Sequence, residues 1–214
     1  MGSGKSLTLV YLSRYLKKKY PSYRLVSNLH IKDVEYITTE QLFKLEHKTF
    51  YLIDEPYHFL NSIAWFDGIS ILASEILSKT RKYDSRFYFT LHYGFLMPRR
   101  IRQNFVGLIF PQYNKKLKKL ELMFIDYKDD YLIYEPQFQA DKIINAKSLL
   151  NLYNTREVVE WDISKLVEII RKLFLEKYPD EKIRCFMLKQ YHFSKEFIEL
   201  LEFDCDKFKK KKRK

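Results

Sequence analysis

The sequence predicts an α/β protein in which helices sandwich a mainly parallel sheet, followed by an antiparallel strand extension and a small C-terminal helical appendage. Three observations carry this prediction. Phe50–Ile53 is an unbroken apolar run of strand length, the pattern of a parallel strand covered on both faces. Helical and strand-like spacings alternate from Leu7 to Leu91, as in doubly wound sheets. Beyond about Gln139 the apolar spacing becomes helical throughout. The boundaries drawn from these changes are 1–138 for the core with its extension, 139–206 for the appendage and 207–214 for a basic tail.

Each element has a local reason. Leu7, Val10, Tyr11, Leu12, Tyr15 and Leu16 share a helical stripe that Pro21 ends. Tyr23–Ile31 is rich in large and β-branched side chains and reads as a strand, and Thr38 with Gln41 forms a capping box for a short helix. After Phe50–Ile53, a helix is expected over Ile69–Lys82 and an apolar strand over Phe87–Leu91, closing at His92. Past Pro98, the segments Phe105–Phe110, Leu120–Tyr127 and Tyr131–Tyr134 read as strands, the last two joined across Asp129-Asp130. In the appendage, Leu166, Ile169, Ile170, Leu173 and Phe174 define one face of a helix over Ile163–Tyr178, with further helices near Glu181–Gln190 and from Ser194. These helices fit either a small winged-helix-like DNA-binding unit or plain mutual packing.

Charge and cysteine usage narrow the class. The formal net charge is +12, of which the last eight residues supply +7. Such a run attracts polyphosphate without sequence preference, and equally serves as a solvated tail. Cys185 and Cys205 lack CxxC spacing and neighbouring histidines, so neither a disulfide framework nor a zinc site is expected, and a reducing, cytoplasmic setting follows. No apolar run approaches the roughly 20 residues needed to span a bilayer, and the first residues lack the charged start and apolar stretch expected of a signal peptide.

The chemistry concentrates at two places. Gly2-Ser3-Gly4-Lys5-Ser6, running into a helix, matches the second half of the phosphate-binding loop G-x-x-x-x-G-K-S/T. Backbone N–H groups from Gly2 to Leu7 would curl around phosphate oxygens, Lys5 would bridge the β- and γ-phosphates, and the Ser6 hydroxyl would bind Mg²⁺. About fifty residues later, Asp54-Glu55 stand at the end of the apolar strand. Asp54 can hold Mg²⁺ through water and Glu55 can take a proton from an attacking water, which implies hydrolysis of ATP. A solvated strand-end pair is the plain reading of these carboxylates.

The order GSGKS, YLIDEP, TRKYDSRFYFTLH and PRRIRQNF is similar to that of the additional-strand, catalytic-glutamate P-loop ATPases of the FtsK-HerA and zonula-occludens-toxin-like group, over roughly Gly2 to Tyr134. The resemblance implies a trans arginine finger, with Arg81 as first candidate and Arg86 as second, and a polar sensor closing the strand of the third motif. His92 stands where the group usually has Gln, with Thr90 on the same strand face, and reads equally as a structural histidine. Arg99, Arg100 and Arg102 would line a DNA channel, answer a neighbour's nucleotide, or lie solvated. A full loop would begin two residues before Met1, preceded by a strand this chain lacks, so Met1 is expected to be internal to a longer protein, or the ATPase is degenerate.

By this resemblance the expected function is an ATP-driven DNA-translocating motor, a viral genome-packaging or morphogenesis ATPase that forms a ring, hexameric by analogy, on double-stranded DNA with a capsid or assembly partner. The alternative is a non-catalytic DNA-binding or scaffold protein with a degenerate nucleotide site. A small-molecule kinase would also use the loop but needs neither the Asp-Glu pair nor trans arginines.

Overall fold

The computed structural model describes residues 4–42, 44–56, 67–92, 97–126, 139–154, 163–191, 193, 195–205 and 207. Helix α1 (Lys5–Lys19) is followed by β1 (Arg24–Ser27), β2 (Glu35–Tyr36), α2 (Thr39–Leu42), β3 (Thr49–Ile53), α3 (Asp67–Lys79) and β4 (Arg86–Phe89). One turn of helix, α4 (Arg99–Arg102), leads into β5 (Gly107–Asn114), β6 (Lys119–Asp126), β7 (Lys142–Asn145) and a second short helix, α5 (Lys147–Leu150). The chain closes with α6 (Ile163–Lys177), α7 (Glu181–Gln190) and α8 (Lys195–Leu200).

Four strands form a wholly parallel sheet in the order β2-β1-β3-β4. The expected α/β class with a parallel sheet is therefore observed. All five residues of β3 are buried, and their alternation divides the core. Phe50 and Leu52 face α1, joined by Leu7, Val10 and Leu16. Tyr51 and Ile53 face the other side, against Met97, Ile101, Ile170 and Phe174. Successive side chains of a strand point to opposite faces, so one apolar run supplies both layers.

The second sheet is antiparallel, in the order β5-β6-β7. Leu120 and Leu122 pack into the same cluster as α1, which therefore lies between the two sheets. β7 falls after the boundary drawn at 138/139, and it pairs with β6. The expected strand Tyr131–Tyr134 lies outside the described residues, as does the tail beyond Lys207.

The C-terminal helices pack directly on the parallel sheet. Ile169, Ile170 and Phe174 of α6 share one buried cluster with β3, α7 and α8. A polar clasp joins α6 and α7 to α3: the Tyr191 hydroxyl donates to Glu75 Oε1 at 2.6 Å, and Lys177 Nζ donates to Glu75 Oε2 at 3.1 Å.

One expectation is overturned here. Cys185 and Cys205 form a disulfide across 20 residues, with Cα atoms 5.3 Å apart. Spacing alone missed it because the pair is made by tertiary packing: α7 and the segment after α8 fold back on each other, and both cysteines are buried. The inference of a reducing compartment rested on unpaired thiols and loses that support.

Candidate functional site at the carboxyl ends of β3 and β4

Gly4 is the N-cap of α1, with φ 95° and ψ 12°. That left-handed conformation is open to glycine and costly to other L-residues. The 15-residue helix has no acidic residue in its first turn and three lysines in its last, so its positive end is left uncompensated by carboxylates on the helix itself. The helix also leaves the N–H groups of Ser6 and Leu7 without intrahelical acceptors. Leu7 can offer the site only its backbone, since its side chain is 2% exposed and lies in the core. Gly2 and Ser3 lie outside the described residues.

Opposite this helix end, β3 delivers Asp54 and Glu55. The Ser6 hydroxyl donates to Asp54 Oδ2 at 2.9 Å, and Thr90 Oγ1 donates to Asp54 Oδ1. Asn28 grips the Asp54 backbone from both sides: its Nδ2 donates to the Asp54 carbonyl at 2.8 Å, and its Oδ1 accepts from the Asp54 N–H at 2.7 Å. This amide continues the β1–β3 pairing one step past Ser27 and Leu52. Sequence reasoning did not pick out Asn28; the signal was the polar pair Ser27-Asn28 ending the apolar run Leu25-Val26.

Glu55 has φ 49°, a left-handed conformation for a non-glycine residue. Its N–H donates to Thr90 Oγ1 at 3.0 Å, which helps to hold that turn. His92 then bridges the two halves of the site. Its Nδ1 lies 3.0 Å from Lys5 Nζ, and its Nε2 lies 3.0 Å from Glu55 Oε1. An ammonium can only donate, so Nδ1 is the acceptor and Nε2 carries the proton donated to Glu55. These contacts assign the tautomer.

Lys5, Ser6, Asp54, Glu55 and His92 thus converge on one end of the sheet. Arg81 does not join them. It lies in an exposed turn after α3, where the Tyr83 carbonyl accepts from Lys48 N–H at 3.0 Å, at the amino end of β3. The five residues of β3 separate it from Asp54, roughly 15 Å at strand rise. Arg86 begins β4 at that same far end. Arg99, Arg100 and Arg102 sit on α4, whose Arg100 carbonyl accepts from Ser74 Oγ and Asn104 Nδ2.

The donor set suits a polyphosphate with a hard cation: a serine hydroxyl 2.9 Å from a carboxylate, with a lysine next to that serine at the start of α1. Among the described residues there is no group of three or more His, Cys, Asp or Glu able to hold a metal by protein ligands alone. Burial pushes the Asp54 carboxyl above the usual carboxylate range, against the opposing hydrogen bonds from Thr90 and Ser6. Burial therefore disfavours the ionised form.

A stability prediction follows. Above the ordinary carboxyl pKa the unfolded chain is ionised, while the folded chain must bury that charge. Asp54→Asn is expected to raise the unfolding midpoint at pH 7, by about 2–4 °C for about 1 kcal/mol in a chain of this size. The gain should shrink as pH falls through the raised Asp54 pKa toward the ordinary value. Thermal melts across pH 4–8 check it, and a gain that grows on acidification would refute it.

Compared with protein-family models, with curated proteins and with solved structures, the chain finds no match.

Proposed function

We propose that this protein is an ATP-driven DNA-translocating motor, of the viral genome-packaging or morphogenesis kind. The reading rests above all on the convergence of Lys5, Ser6, Asp54, Glu55 and His92 at the carboxyl ends of β3 and β4. The helix end and Lys5 would receive the β- and γ-phosphates, and Ser6 with Asp54 would hold Mg²⁺. The cation supplies charge neutralisation on the phosphate oxygens when bound. Glu55, positioned by His92, accepts the proton of the water that attacks the γ-phosphorus. Lys5 moves from the imidazole to the triphosphate, which releases the Nδ1 of His92 to report that nucleotide is present.

Arg81 lies far from this chain's own site, so the proposed arginine finger requires a neighbouring subunit's nucleotide. Ring assembly is part of the proposal for that reason. Net charge of +12 favours a polyanionic track, and no helix among the described residues is long and apolar enough to cross a membrane.

Steady-state ATP turnover with and without duplex DNA tests the reading. Turnover should rise several-fold with duplex and vanish in Lys5→Ala. Duplex binding with no Lys5-dependent turnover would favour the scaffold alternative, and turnover driven by a metabolite but indifferent to DNA would favour a kinase.

A further inference from the structure

The turn between β5 and β6 reads Asn114-Lys115-Lys116-Leu117-Lys118-Lys119, and all six residues are exposed. Four like charges within five residues repel one another, and no carboxylate among the described residues forms an ion pair with any of them. The turn is nonetheless well built. Asn114 Oδ1 accepts from the Leu117 N–H at 3.0 Å, Lys118 adopts φ 49°, and the Lys118 carbonyl accepts from Ala146 N–H at 2.8 Å. A rigid ribbon therefore presents an uncompensated polycationic tip.

Its base touches the nucleotide loop. Tyr113 pairs with Leu120 at the foot of the turn, and a Cβ built on Gly4 would lie 2.9 Å from Leu120 Cδ1 and 3.0 Å from Tyr113 Cβ. The foot of the turn, Tyr113 and Leu120, thus packs closely on Gly4 at the helix end.

We infer that the Lys115–Lys119 tip is a nucleic-acid backbone contact of this protein, seated on the phosphate loop through Gly4. The inference deepens the motor reading and rests on it for its role in movement. A two-stranded ribbon fits the major groove of a duplex, about 12 Å wide, and lysines at its tip can reach phosphates on either side. An anionic membrane is the weaker partner: Leu117 is the one apolar residue at the apex, and stable attachment to a bilayer takes a larger apolar contribution.

The test uses the full chain with Lys115→Gln, Lys116→Gln, Lys118→Gln and Lys119→Gln together, alongside the four Lys→Arg changes. Anisotropy of a labelled duplex is read from about 50 to 200 mM salt. The Gln variant should show a salt slope shallower by about 2–4 and affinity about 10–100-fold weaker at the low-salt end, and the Arg variant should keep the wild-type slope. Because these side chains are exposed, the unfolding midpoint should stay within about 2 °C. An unchanged slope in the Gln variant overturns the inference even if Lys5-dependent ATP turnover is present. The same holds if that variant loses binding to phosphatidylglycerol vesicles while keeping duplex. A slope lost in the Gln variant and restored by Arg supports it, even in a protein without ATP turnover, where only the motor reading falls.

Discussion

Glu55→Gln should lower kcat for ATP hydrolysis by about 10²–10⁴-fold while leaving nucleotide affinity within a few-fold of wild type. The substitution removes only charge and basicity. Gln keeps an oxygen that can accept from His92 Nε2, now 3.0 Å from Glu55 Oε1, and the backbone at φ 49° is no more strained with Gln than with Glu. Lys5 and Ser6 on α1, and Asp54 under its Ser6, Thr90 and Asn28 hydrogen bonds, are untouched. A fall in kcat with binding retained marks a residue that acts in the transition state. Equal turnover in the two proteins, measured at saturating nucleotide, would remove Glu55 from the chemistry.

Gly4→Ala should destabilise the fold by about 2–5 kcal/mol and weaken nucleotide binding. An L-residue in the left-handed region costs about 1–2 kcal/mol. The added methyl meets Leu120 Cδ1 at 2.9 Å and Tyr113 Cβ at 3.0 Å, an overpacking of about 1–3 kcal/mol. The two contributions separate in a double mutant, because Leu120→Ala in the Gly4→Ala background makes room for the methyl without altering φ. Urea unfolding should show positive coupling between the two sites, read after subtracting the cavity that Leu120→Ala makes alone. Strict additivity would mean the collision is relieved by side-chain rotation and the penalty is conformational.

Much of the parallel layer was legible because its rules are local. Phe50–Ile53 announced a strand covered on both faces, and β3 is that strand. One half of the Thr38–Gln41 capping box is seen, with the Thr38 N–H donating to Gln41 Oε1 at 3.0 Å. Lys5, Ser6, Asp54, Glu55 and His92 stood at element ends, where a parallel sheet gathers its carboxyl termini, so their convergence followed from element order.

What was hidden depends on tertiary partners. Asn28 reads as an ordinary turn residue until its amide is seen against the Asp54 peptide. The apolar face of α6 announces burial without naming the sheet as its partner. β7 is four residues, Lys142–Asn145, too short for alternation to distinguish it from the start of a helix. The disulfide joins cysteines 20 positions apart in sequence, a separation at which spacing carries no geometric information.

The double grip of Asn28 on the Asp54 peptide divides the site into a stationary half and an adjustable one. With its main chain locked to β1 and its carboxylate held by Ser6 and Thr90, Asp54 has little room to relax when a ligand arrives. Lys5 and His92, whose side chains meet at 3.0 Å, make up the other half. The Asp54 carboxylate is thereby oriented by the fold itself, and under the proposed reading the adjustment to nucleotide would fall on Lys5 and His92.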